Sequence, residues 1–284
     1  MAIPSLHENF LEPRWRAELN LGFVRIDRHT VLKRQKHCGP LLVQKPFYPE
    51  TDGTCHVYIL HPPGGLVGGD DLNIDIDIGP GAHVLITTPA AGKFYRSAGL
   101  DSRLEQRIKI ASEGTIEWFP SENIFFSGAK ARIKTRIELS SDSQFIGWDI
   151  GCLGRPACNE LFQKGRIDQR FEIWQDETPL HIERLFIKGG DSILDAKWGL
   201  ASYPVIASMI CVTSCHDLLD SLRSISFPSQ GTELFSVTQV DRVILCRFLG
   251  GNVEQARRYL VAAWKILRCG VLGKKAVEPR IWNT

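Results

Sequence analysis

The chain has 284 residues, 43 % hydrophobic and 23 % charged, a globular balance that excludes a disordered polypeptide. Lys and Arg number 34 against 32 Asp and Glu, and the net charge of +2 comes without a one-sided basic cluster, which argues against a nucleic-acid binder. No apolar run reaches the ~18 residues of a membrane helix, and residues 1–16 carry Pro4, His7, Glu8 and Glu12 where a signal peptide has its apolar core, so a cytoplasmic protein with eight reduced cysteines is expected.

Period-two patterning dominates the first two thirds. Leu72-Asn73-Ile74-Asp75-Ile76-Asp77-Ile78 alternates without a fault, placing the aliphatic residues on one face and the polar ones on the other. Gly79-Pro80-Gly81 turns the chain into a strand from His83 to Thr88, and further strands are expected at 103–110, 115–119, 131–139, 144–150, 167–174 and 180–187. Arg132, Lys134 and Arg136 alternate along one of them, followed by Glu138, which reads as a solvated strand face. Such short strands predict a mainly β body of stacked antiparallel sheets, since a doubly wound parallel sheet would show continuous apolar strands separated by helices.

Helical period comes later. Ser214 is a candidate cap for a short helix presenting Leu218, Leu219, Leu222 and Ile225. Residues 232–240 and 242–249 return to strand. The clearest helix runs from Val253 to about Arg268, with Asn252 as N-cap, Gln255 in capping-box position and Gly270 just past the end. No linker or repeat divides residues 1–284, which predicts a single domain.

Few motifs suggest catalysis. His61-Pro62-Pro63-Gly64-Gly65-Leu66-Val67-Gly68-Gly69-Asp70 has paired glycines and runs into a strand, so it reads as a tight crossover and not as a dinucleotide loop. Gly92-Lys93 lacks both the leading Gly and the Ser/Thr of a P-loop. Lys93, Tyr95 and Arg96 form either a basic contact patch or a structural group. Cys211-x3-Cys215-His216 and Cys55-His56 with His61 offer soft ligands but lack the second half of a structural zinc site.

Four blocks carry more information: residues 61–70, Thr87-Thr-Pro-Ala-Ala-Gly-Lys-Phe-Tyr-Arg-Ser97, Glu117-Trp-Phe-Pro-Ser-Glu-Asn-Ile-Phe-Phe-Ser-Gly-Ala129 and Trp148-Asp-Ile-Gly-Cys-Leu-Gly-Arg-Pro-Ala157. In this order and spacing, with Gln44 to Pro49 before them and Pro279-Arg280-Ile281-Trp282 at the end, the chain resembles the UreD (UreH) family of urease accessory proteins over nearly its whole length. The resemblance implies an open, helically wound stack of antiparallel and mixed strands with a few helices and no catalysis of its own. It implies a scaffold and nickel conduit acting with UreF, the GTPase UreG and the urease apoprotein, with no tightly bound cofactor and Ni²⁺ only in transit.

A relay has to release its ion, which favours carboxylates and water over a Cys/His cage. The carboxylates within the blocks are Asp70, Glu117, Glu122 and Asp149. Asp149 is the first choice, because a charge between Trp148 and Ile150 needs a partner, water or a cation; any of the four could instead cap a turn or pair with a neighbour. Trp264 on the long helix and Trp282 in the tail are candidate contacts for UreF, with self-packing as the alternative. Two other readings are a metal-dependent hydrolase using His56, His61 and a carboxylate, and a bridging module that never touches metal.

Overall fold

The structure is a computed structural model that describes residues 15–215, 217–227 and 233–283. In chain order the strands are β1 (Arg16–Ile26), β2 (His29–Cys38), β3 (Leu42–Val43), β4 (Cys55–Leu60), β5 (Asp71–Ile78), β6 (His83–Thr87), β7 (Gly92–Phe94), β8 (Ser102–Ile110), β9 (Thr115–Phe119), β10 (Asn123–Phe125), β11 (Lys130–Leu139), β12 (Gln144–Leu153), β13 (Arg166–Gln175), β14 (Thr178–Lys188), β15 (Val205–Val212), β16 (Leu234–Val240) and β17 (Val243–Gly250). Among the described residues two α-helices join them, α1 (Leu219–Arg223) and α2 (Val253–Leu272).

The strands form two facing sheets. One has the order β14-β13-β11-β8-β5-β1-β2, the other β16-β17-β15-β12-β9-β6-β4-β3, with β7 and β10 attached beside β12. From β4 to β13 the chain passes from one sheet to the other at nearly every step, so successive strands of each sheet lie parallel. The pairs β5/β8, β8/β11 and β11/β13 are parallel in one sheet, and β4/β6, β6/β9 and β9/β12 in the other. Antiparallel pairs β1/β2, β13/β14, β15/β17 and β16/β17 close the ends. The mainly β, wound stack implied by the resemblance is therefore observed.

The antiparallel pairing read from the spacing is corrected in the middle of both sheets. Alternation reports burial of one face only. Parallel strands usually need helical crossovers, but here the facing sheet supplies the return strand. The same geometry explains why the two sheets read differently in sequence. The outer face of the first sheet is solvated, so β5 alternates between half-buried and buried positions. The second sheet is covered on both faces, by the first sheet and by α2, so β6 and β9 are buried throughout.

Two apolar layers result. Leu21, Phe23, Ile76, Ile108 and Ile137 meet Val84, Ile116 and Phe145 between the sheets. Trp148, Met209, Cys211, Leu260, Trp264 and Leu267 fill the space between the second sheet and α2. Burying each large side chain of α2 contributes roughly 1.5–3 kcal/mol, more than its intrinsic helix propensity.

Asn252 caps α2 as expected, its side chain accepting from the Glu254 N–H at 2.6 Å. The helix runs past Gly270 to Leu272 and ends on Gly273 at φ +64°. Gly270 lies inside because a side chain there would strike Leu218, which packs at 2.4 Å from the position of its Cβ. Helix α1 starts four residues later than a cap at Ser214 requires, and its N-cap, Leu218, makes no side-chain bond. The first residue of the strand expected at 232–240 lies outside the described residues, as does most of the 1–16 segment. Among the described residues no helix is long and apolar enough to cross a membrane.

The 61–70 crossover links β4 to β5. A Cβ on Gly65 would stand 2.7 Å from the Lys93 carbonyl oxygen, so only glycine allows this approach. Gly92-Lys93 lies in β7, and the Lys93 carbonyl accepts from the Leu66 N–H.

Candidate functional site

Strand β12 turns Phe145, Gly147, Asp149 and Gly151 toward the first sheet and Trp148 and Ile150 toward α2, placing Asp149 between the sheets opposite Ser208 of β15. Three inward positions of the first sheet are also polar: Gln106 on β8, Thr135 on β11 and Gln169 on β13. The Thr135 hydroxyl donates to the Gln106 amide oxygen at 2.7 Å, and the Gln169 amide donates to the Asp149 carboxylate. A polar line thus crosses an aliphatic interior.

Asp149 lines two cavities. One, of ≈ 360 Å³, extends toward His61, Gln106 and Asn123 between walls that include Ile59 and Ile74. The other, of ≈ 50 Å³, leads to Gln169, Ser208 and Glu183 of β14. The Ser208 hydroxyl donates to Glu183 at 3.3 Å, and Arg247 and His181 stand 3.6 and 3.4 Å from the same carboxylate.

Burial pushes the Asp149 carboxyl up to about 6; the Glu183 charge adds to this and the Gln169 hydrogen bond opposes it. Burial also acts on Glu183, but the His181 hydrogen bond and the Arg247 charge outweigh it and hold its pKa below the usual carboxylate range. Two carboxylates with opposed shifts therefore line the same small cavity. His61 is depressed by burial, partly offset by the Asp70 charge.

The other carboxylates singled out in the sequence lie elsewhere. Glu117 is fully buried beneath α2, accepting from Arg268 Nε at 3.0 Å, Trp264 Nε1 at 2.6 Å and His83 Nε2 at 2.8 Å. Burial would raise its pKa, but the His83 hydrogen bond and charge, followed by Arg268 and Trp264, lower it. Arg268 also forks onto Glu50, and Lys274 contacts both His83 and Asp52. Glu122 pairs with Arg257 of α2 at 2.8 Å. Asp70 caps its own turn, accepting from the Val67 N–H at 2.8 Å. Of the four, only Asp149 borders the cavities.

The contact candidates divide as well. Tyr95 and Arg96 line a surface cleft, and Lys93 is half-buried beside them. Trp264 is corrected: it is fully buried in this chain's own core against Phe119 and offers no surface to a partner. Trp282 packs on Trp148, Trp264 and Phe119 and donates to the Thr87 hydroxyl at 2.9 Å, so the tail folds onto the chain itself.

His56 bonds Glu50 at 2.7 Å while His61 lines the inter-sheet cavity, so the two do not converge on one site. Burial raises the Cys55 thiol to about 11 and pushes Cys211 up further; His216 lies outside the described residues. Among the described residues no group of three or more His, Cys, Asp or Glu is arranged to hold a metal ion. Gln106, Thr135, Gln169, Glu183 and Ser208 were not singled out from the sequence. Their signal was a polar residue at an inward position of an otherwise apolar strand, as in Ile133-x-Thr135-x-Ile137.

Residues 16–283 match the family described as UreD urease accessory protein, which places the chain among accessory proteins. It is 44 % identical over 271 residues to urease accessory protein UreD 2 of Brucella anthropi, covering 95 % of this chain and 98 % of that one. It is 44 % identical over 275 residues to UreD of Alcanivorax borkumensis, with 95 % and 92 % covered. Identity to UreD of Klebsiella aerogenes is 41 % over 274 residues, covering 96 % and 98 %. The chain belongs to the UreD family.

Proposed function

We propose that this protein serves urease maturation as a scaffold and nickel conduit, in a cytoplasmic complex with UreF, the GTPase UreG and the urease apoprotein, and that it has no catalytic activity of its own. Its cysteines are all free, which suits a reducing compartment. The observation that carries the conduit reading is the position of Asp149 in the walls of two inter-sheet cavities. Ni²⁺ accepts oxygen ligands, and an incomplete set drawn from Asp149, Glu183, Ser208 and water holds it loosely enough to release it. The Asp149 carboxyl is strained by burial when ionised, and a passing divalent cation relieves that strain. The ion is cargo and needs no resident cage.

The test co-expresses the chain with apo-urease, UreF and UreG. Asp149→Ala is expected to co-purify with its partners while the nickel content of urease and ureolysis fall together. Wild-type nickel loading by this variant sinks the proposal, as does full loading in cells that lack the chain.

A further inference from the structure

A second built site lies on the surface, away from the inter-sheet line. Tyr95, Arg96, Phe126, Ser127, Gly128, Arg155, Glu160 and Lys164 surround a cleft of ≈ 490 Å³. Its floor is fixed. The aliphatic stem of Arg96 lies where a side chain on Gly128 would be, with Cγ 2.7 Å from that Cβ position, and Gly128 has φ +91°. The Phe126 ring packs on Tyr95 at 4.9 Å, and the Arg155 guanidinium lies 4.7 Å above the same ring.

The charges in this cleft are not balanced. Glu160 is already occupied by the Arg155 guanidinium, with Nε at 2.9 Å, and by the Ser127 N–H at 3.0 Å. Among the described residues, Arg96 and Lys164 close no ion pair and no side-chain hydrogen bond, and the Tyr95 hydroxyl has no partner. Three cations face one committed carboxylate, so the cleft carries an excess of positive charge. Its apolar surface is the packed pair of Tyr95 and Phe126 rings. Donors grouped around the Tyr95 and Phe126 ring faces match a carboxylate-bearing peptide segment better than a small free anion, which would leave those faces unused.

From this we infer that the Tyr95–Arg96–Arg155–Lys164 cleft is a docking site for an acidic segment of a partner protein. The inference rests on the scaffold reading above, since it supplies one of the contacts that such a scaffold needs, and it is independent of the nickel path. The segment places its carboxylates against Arg96, Lys164 and the Tyr95 hydroxyl. Binding weakens with salt, because the cleft is open to solvent.

The test uses the purified full chain and fluorescein-labelled deca-glutamate, read by anisotropy. Arg96→Glu with Lys164→Glu is expected to weaken binding by about tenfold or more, whereas Lys33→Glu with Lys36→Glu on the distant strand β2 leaves it within about twofold. Arg96→Gln with Lys164→Gln provides a milder pair should the reversed charges impair folding, and an intermediate loss is expected. Equal losses in cleft and control variants overturn the inference, as does displacement of the peptide by inorganic phosphate where chloride of matched ionic strength has no effect. Failure here leaves the nickel result with Asp149→Ala untouched, and failure of that result leaves peptide binding unchanged, so the two readings fall separately.

Discussion

Arg268, on the buried face of α2, donates to Glu117 of β9 at 3.0 Å, and neither side chain is exposed to solvent. The pair ties the C-terminal helix to the centre of the second sheet. Around it, Trp264 and His83 complete the hydrogen bonds of Glu117, and Glu50 accepts two from Arg268. A buried ion pair with all its polar atoms met is costly to break from one side, because the surviving charge stays in the interior. Glu117→Ala should therefore lower unfolding stability by about 3–5 kcal/mol in denaturant titrations. The double replacement of Glu117 and Arg268 by Leu should lose much less than the sum of the two single changes. Additive single losses below about 1 kcal/mol would show that the network does not hold α2 in place.

Asp149 behaves in the opposite way. Its folded pKa of about 6 lies above the ordinary 3.8. Below about pH 3 it is protonated in both states and the fold bears almost no cost. Between pH 4 and 6 the unfolded chain releases the proton first, so stability falls as pH rises, by at most about 3 kcal/mol once the pH exceeds 7. Asn imitates the protonated form. Asp149→Asn should be more stable than wild type by about 1–3 kcal/mol at pH 7.5 and close to equal at about pH 3. A variant that gains stability while nickel delivery fails carries the signature of a functional residue held at the expense of the fold. Equal pH dependence in the two proteins would remove the burial argument for this position.

The legible part of the fold was whatever depends on one strand at a time. The alternation of β5, the extent of β9 at 115–119 and the Asn252 cap are local consequences of one-face burial and of unmet N–H groups at a helix start. Pairing direction was not legible, because side-chain alternation is the same in parallel and antiparallel strands and only the return path through the other sheet decides between them. Asp149 was found because a charge between Trp148 and Ile150 is conspicuous. Glu183 was not, since on β14 it alternates with exposed residues and its burial depends on β15 and β17 lying beneath it. Glu117 drew attention for a sound reason, a carboxylate within an apolar strand, but its partner Arg268 lies 151 residues away and no local pattern announces the pair.

The tail makes a separate stability prediction. Trp282 closes an aromatic group with Phe119, Trp148 and Trp264, with centroid distances of 6.0, 5.2 and 5.5 Å. Trp282→Ala should cost about 2–3 kcal/mol and reduce the near-ultraviolet circular dichroism of the cluster. If the residue instead served a partner, the isolated chain would keep its stability and its spectrum while the assembly with UreF and urease weakened.

The proposed passage can be narrowed without touching a polar group. Gly151, two residues after Asp149 on the same face of β12, lines the smaller cavity of ≈ 50 Å³. A Cβ there would meet the Phe125 ring at 3.6 Å and the Ile206 carbonyl oxygen at 3.9 Å, both ordinary contacts. Gly151→Val therefore fits the strand and places its methyl groups in the space between Asp149 and Glu183. The expected cost in stability is below about 1.5 kcal/mol, since the added carbons enter a void rather than a packed core. Gly251→Val, where a Cβ meets nothing within 4 Å, serves as the control. In the co-expressed assembly, Gly151→Val should leave the partners bound yet lower the nickel content of urease, and the control should leave both unchanged. Normal loading through a filled cavity would mean that the ion takes another route, and the cavities at Asp149 would lose their role.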